Sequence, residues 1–108
     1  MALSDLLLKS TITLNLDSQS SADVIQHLGS KLLDAGLVKE SFINAALERE
    51  KVMPTGLPLG GIINAAIPHT DVEHVHKAGV AMATLAQPVI FQNMVNTTEC
   101  VEVLIVLL

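Results

Sequence analysis

The chain has 108 residues, a net charge of −5 and half of its residues hydrophobic, yet its only aromatics are Phe42 and Phe91. That length gives one domain, residues 1–108, with a core of Leu, Ile, Val, Ala and Met, and the acidic balance argues against nucleic acid, which wants a basic surface. The single cysteine, Cys100, excludes an internal disulfide and fits a reducing cytoplasm; the short apolar run Leu6 to Leu8 is no secretory signal, and no stretch reaches the length of a membrane span.

Thr11 to Leu16 alternates apolar and polar residues, the period of a half-buried strand. Ser20 opens an S-x-x-D pattern with Asp23, the signature of a helix N-terminus. Val24, Ile25, Leu28 and Leu32 follow at helical spacing, and Gly36 supplies the stop. A second helix is predicted from about Glu40 to Lys51, with Phe42, Ile43, Ala46 and Leu47 as its apolar stripe. Pro54 and Gly56 end it, and Leu57 to Gly61 reads as a flexible connector.

Ile62 and Ile63 begin a buried strand that should end at Pro68, which cannot donate a ladder hydrogen bond. His69 then stands at the strand's exit, where a rigid element presents a side chain for chemistry. Asp71 to Lys77 is read as a helical turn capped by Thr70 or Asp71, leaving free amides near His69. Val80 to Leu85 is predicted as one strand, and Pro88 to Gln92 as a separate short edge strand. Val101 to Leu108 is apolar apart from Glu102, the pattern of a central strand covered on both faces. A chain that stops inside its most apolar segment reads as truncated, with further helices expected to cover that strand and an exposed apolar edge favouring self-association until they do. Strands interleaved with two helices place the fold in the α/β class.

Four histidines occur, His27, His69, His74 and His76. His27 lies mid-helix beside Leu28 and reads as structural. His69, His74 and His76 with Asp71 and Glu73 invite a metal reading, but the spacing matches no standard ligand pattern and no cysteine supports it. A phosphoryl-accepting histidine fits better. Neutral imidazole is a nucleophile, provided that the opposite ring nitrogen has a partner that fixes the tautomer. Phosphoryl transfer also needs a cation over the equatorial oxygens, and Arg49, whose guanidinium matches phosphate geometry, is the candidate. The plain alternative for Arg49 is a surface helix residue between Glu48 and Glu50. Cys100 precedes a buried strand without a local base and reads as a packing residue.

At Arg49-Glu50, Pro54-Thr55-Gly56 and Ala66-Ile67-Pro68-His69-Thr70-Asp71 the sequence resembles the IIA component of the bacterial phosphoenolpyruvate:sugar phosphotransferase system, fructose/mannitol superfamily, nearest its galactitol-like branch. Ala45 to Glu50, Thr70 to Val75, and Pro88 to Phe91 followed by Met94 support the resemblance. It implies a mixed β-sheet flanked by helices, of the mannitol-type IIA form, and a cytoplasmic phosphocarrier without metal or cofactor of its own. By the same resemblance His69 takes a phosphoryl group from HPr and passes it to the cysteine of the cognate IIB component, which phosphorylates sugar entering through the membrane transporter IIC. Arg49 matches the arginine near that histidine, Thr55 and Gly56 match the motif that shapes the pocket, and Asp71 and His74 match supporting positions of the galactitol-like pattern. The segment from Thr55 to His69 is about one residue longer than the family pattern, which a loop or β-bulge absorbs. The family normally continues through a further pair of helices, some relatives placing a second active-site histidine there. The same resemblance admits a regulatory IIA-like module that uses phosphorylation as a signal to a regulator or transporter.

Overall fold

The computed structural model describes residues 7–59, 64–77, 79–95 and 100–107. The elements run β1 (Leu7–Leu16), α1 (Ser21–Asp34), α2 (Phe42–Val52), β2 (Gly56–Leu57), β3 (Ala65–Ala66), a 3₁₀ turn (Val72–His74), β4 (Val80–Gln92) and β5 (Cys100–Leu107). The five strands form one mixed sheet in the order β1-β4-β5-β3-β2. β1 runs parallel to β4 and β3 parallel to β5, whereas β4 with β5 and β2 with β3 are antiparallel. This is the predicted α/β class. A parallel β1–β4 pair needs a crossover connection, and both helices lie within it.

Local chemistry accounts for α1 at both ends. The Ser20 side chain accepts a hydrogen bond from the Asp23 amide at 3.1 Å, and Ser18 Oγ donates to the Asp23 carboxylate at 2.7 Å. At the other end Gly36 takes φ +75°, so that its amide reaches Leu33 O and the Leu37 amide reaches Leu32 O. That pair of bonds is the Schellman arrangement, which needs a left-handed residue. Val24, Ile25, Leu28 and Leu32 are buried along one stripe, and α1 packs on β4 and β1 while α2 packs on α1. Helix α2 starts at Phe42 with Ser41 as its N-cap, yet Ser41 makes no side-chain cap bond because its hydroxyl faces His74 Nδ1 at 2.8 Å.

Three expectations are corrected. Val80 to Leu85 and Pro88 to Gln92 are not two strands but one, β4, which lies between β1 and β5 and is no edge. The register to β5 shifts between Thr84 and Val89, and this irregularity, with Pro88 exposed inside it, lets the strand pass a residue that cannot join the ladder. Leu57, expected in a flexible connector, pairs with β3 together with Gly56, expected only as a helix stop; Gly60 to Ile63 lie outside the described residues. The turn read over Asp71 to Lys77 contracts to three 3₁₀ residues, after which Val75 bridges to Val38. β5 is central as expected, with Val101, Val103 and Val106 buried, but the exposed Glu102 between them shows that cover is not complete on both faces.

Gly36→Ala isolates the backbone cost of the α1 terminus, because a Cβ there would meet nothing within 4 Å. The left-handed conformation alone should lower stability by about 1 kcal/mol and the thermal midpoint by about 4–8 °C. A thermal melt followed by circular dichroism measures it, and an unchanged midpoint would contradict this account of the terminus.

Candidate active site

Three pieces of chain converge on His69. The first is the C-terminal turn of α2, bearing Arg49 and Glu50; the second is the Pro54–Thr55 corner that leads into β2; the third is the exit of β3. β3 brings Ile67, Pro68 and His69 out beside β2, where the Ile67 amide donates to Thr55 O at 3.3 Å. Pro68 is buried and fixes φ just before the histidine. His69 itself is exposed, and its Nδ1 lies 2.9 Å from Ile67 O. A carbonyl oxygen can only accept, so Nδ1 carries the proton and Nε2 is left with its lone pair. This satisfies the tautomer requirement that a nucleophilic imidazole sets.

Arg49 reaches the same loop. One of its terminal nitrogens donates to Asp71 Oδ1 at 2.8 Å, two residues beyond His69, while its Nε is buried without an acceptor. Arg49 is thus not the free surface residue that its flanking glutamates suggested; Glu48 instead pairs with Lys51 at 3.2 Å. Asp71, expected with Thr70 as the alternative cap for the following turn, gives one carboxylate oxygen to Arg49.

Thr55 is 1% exposed, and both of its donors are taken by Glu50: the hydroxyl by Oε1 at 2.7 Å and the amide by Oε2 at 2.9 Å. Burial pushes the Glu50 carboxyl above its ordinary range, against the pull of the two Thr55 bonds and of the charge His69 carries only when its ring is doubly protonated. Gly56 is needed for space. A Cβ there would stand 2.5 Å from Gln92 O, and its carbonyl accepts from the Met94 amide at 2.8 Å. Val52, Met53, Pro54, Thr55 and Met94 line a cavity of about 260 Å³ with His69, and a smaller one of about 150 Å³ opens on the other side of His69, against Phe42 and Val75.

The structure therefore brings together His69, Arg49, Asp71, Thr55 and Gly56. It directs His74 elsewhere: Nδ1 faces Ser41 and Nε2 lies 3.8 Å from Glu73 Oε1. His27 faces Thr13 Oγ1 across the α1–β1 seam at 3.3 Å. Among the described residues no three His, Cys, Asp or Glu side chains converge to hold a metal ion, and no helix is long and apolar enough to cross a membrane. Cys100 opens β5, but its side chain lies outside the described residues. Glu50 was missed as a site residue. The signal was present, an acid on the helix turn next to a candidate arginine and ahead of Pro-Thr-Gly, but nothing local distinguishes it from a solvated glutamate.

Comparison with known proteins adds to this geometry. The family model "Phosphoenolpyruvate-dependent sugar phosphotransferase system, EIIA 2" matches residues 5–108. A probable licABCH operon regulator of Bacillus subtilis is 34% identical over 77 residues, covering 71% of this chain and 11% of that protein. The mannitol-specific EIICBA component of Buchnera aphidicola is 42% identical over 67 residues, covering 62% of this chain and 10% of that protein. Among solved structures, a putative PTS IIA from Streptococcus mutans superposes with a TM-score of 0.79 at 25% identity, over 99% of this chain and 65% of that one. Enzyme IIAMTL from Escherichia coli, solved in complex with phosphorylated enzyme IIBMTL, gives 0.74 at 25% identity, over 94% and 69%. The chain thus spans about a tenth of the curated relatives and about two thirds of the solved chains.

Two measurements check the site's construction. Gly56→Ala must push Gln92 aside and should cost about 1–3 kcal/mol in chemical denaturation, displacing the Met94 resonances as well. Glu50 titrates above its unfolded value, so between the two values the native state binds more protons and stability falls as pH rises. The stability of the parent relative to Glu50→Gln should decline across that window and level off above it; a difference that grows with pH would refute the assignment.

Proposed function

The chain belongs to the phosphoenolpyruvate-dependent sugar phosphotransferase system EIIA 2 family, and on that premise we propose that residues 1–108 act as a phosphocarrier with His69 as the phosphoryl acceptor. The observation that carries this reading is the 2.9 Å bond from His69 Nδ1 to Ile67 O, which leaves Nε2 as the attacking atom on an exposed ring. In the transfer, a bond forms from Nε2 to phosphorus as the donor's bond to phosphorus breaks, the electron pair of that bond returning to the donor. The ring gains positive charge as it is phosphorylated, and the Ile67 carbonyl at Nδ1–H disperses it. Arg49 supplies the cation for the equatorial oxygens, its unpaired Nε gaining an acceptor there.

The carrier works in the cytoplasm, where its donor is HPr and its acceptor the cysteine of a IIB component that acts with the membrane transporter IIC. The solved complex of a IIA with a phosphorylated IIB supports the second of these partners. An acidic chain of net charge −5 suits electrostatic steering toward a basic patch on its donor. The Thr70 to Val75 pattern suggests a galactitol-like sugar, whereas the EIICBA relatives are named for mannitol. The Bacillus relative, named as an operon regulator, favours a second reading in which the same phosphorylation signals to a regulator.

Incubation with phosphoenolpyruvate and the general phosphotransfer proteins should label His69 at Nε2, as phosphorus NMR can establish. His69→Ala should abolish the label and Arg49→Gln should slow it by about 10²–10³-fold. Labelling of His69→Ala at the parent's rate overturns the assignment. Onward transfer to a IIB protein separates the transport reading from the signalling one.

A further inference from the structure

A continuous path of hydrogen bonds joins helix α2 to the ring of His69. Glu50 accepts from both donors of Thr55 at 2.7 and 2.9 Å, Thr55 O accepts from the Ile67 amide at 3.3 Å, and Ile67 O accepts from His69 Nδ1 at 2.9 Å. We propose that Glu50 is a positioning residue for His69: by clamping Thr55 it sets where the Ile67 carbonyl points, and so which ring nitrogen is free to react.

Each joint of this path has little freedom. Thr55 is 1% exposed, so its amide and hydroxyl have no water to turn to if Glu50 is lost. Pro54 and Pro68 are both buried and fix φ immediately before Thr55 and immediately before His69. Gly56 is held from the far side by the Met94 amide and has no room to move toward Gln92. Beside the sheet pairing that begins at Gly56, the carboxylate on α2 is the side-chain support for the Thr55 peptide.

The path transmits geometry and not polarisation. The amide and the carbonyl of Thr55 belong to different peptide units, and so do those of Ile67, so a charge at Glu50 does not pass along a conjugated chain. Its effect is positional, the role that outer hydrogen-bond partners play in fixing the tautomer of a functional histidine. A neutral imidazole freed from such a carbonyl distributes its proton over both nitrogens, and every molecule protonated at Nε2 has lost its nucleophile at that atom.

The functional side of this inference rests on His69 being the phosphoryl acceptor, but its primary test needs no phosphoryl donor. Nitrogen-15 NMR of the histidine rings in the full chain reports the tautomer directly. The parent should show His69 protonated at Nδ1. Glu50→Ala should raise the Nε2-protonated population and slow labelling by roughly tenfold. Thr55→Val, which keeps the amide and loses only the hydroxyl, should do the same to a smaller extent. Glu50→Gln should retain the parent tautomer, because its amide oxygen can accept from Thr55 N–H while its NH₂ donates to a rotated Thr55 hydroxyl. Should Glu50→Ala fail to fold, the Thr55→Val and Glu50→Gln pair carries the test unaided. The inference is overturned if Glu50→Ala, or Thr55→Val in its stead, keeps the parent tautomer, or if Glu50→Gln loses it as fully as Glu50→Ala. A parent that holds the Nδ1–H tautomer yet takes no label would instead sink the phosphocarrier reading and leave this one standing.

Discussion

The register of a two-residue strand is the constraint on which the site depends. Ala65 and Ala66 pair in parallel with Ile105 and Val106 of β5 and antiparallel with Leu57 and Gly56 of β2. Two residues cannot hold a strand in place by themselves, so β3 takes its position from the long β4–β5 ladder beside it. Ala66 is wholly buried, and a side chain this small lets the strand lie against the core without displacing it. From that fixed point Pro68 leaves no φ freedom, and the chain delivers His69 at one location relative to α2. A slip of one residue would turn the alternating side chains over and carry the histidine away from Arg49.

Electrostatics at the site divides into a weak part and a strong part. The Arg49–Asp71 pair is partly solvated, with 29% and 67% of the two side chains exposed, and pairs of this kind are worth about 0–1 kcal/mol. Asp71 therefore parks the guanidinium without holding it firmly, and a multiply charged phosphoryl group is a stronger competitor for the same donors. The Glu50–Thr55 contact is different. It is bidentate, half-removed from water and made to a buried residue, so its loss strands two donors as well as removing two bonds. The mobile charge and the fixed one sit on consecutive residues of a single helix turn, which separates their roles by side-chain direction alone.

The parts of this architecture that local chemistry decides were legible beforehand. Ser20 with Asp23, the stripe from Val24 to Leu32 and Gly36 delimited α1 because capping and periodicity are properties of a short window. The Ala-Ile-Pro-His stretch pointed to the candidate site because a proline stop and a histidine are also local. What escaped depends on partners distant in sequence. β4 reads as two strands because Pro88 breaks the pattern, and only its pairing with both β1 and β5 keeps it whole. The Asp71 carboxylate, expected with Thr70 as the alternative to cap the following turn, turns to Arg49, 22 residues earlier. Glu50 and Ser41 look solvated in the sequence; each acquires its role from Thr55 or His74, whose approach the sheet and the following loop determine.

The segment that follows His69 is tied down as well. Lys39 N donates to His74 O, His76 and Lys77 both donate to Leu37 O, and Val38 bridges to Val75, so the link between the two helices grips the chain leaving the histidine. The ring is thus bracketed by sheet pairing upstream and by this clasp downstream. For the phosphocarrier proposed above, the turnover ceiling is then a matter of traffic: how quickly one protein partner departs and the next arrives at an acceptor that stays where it is.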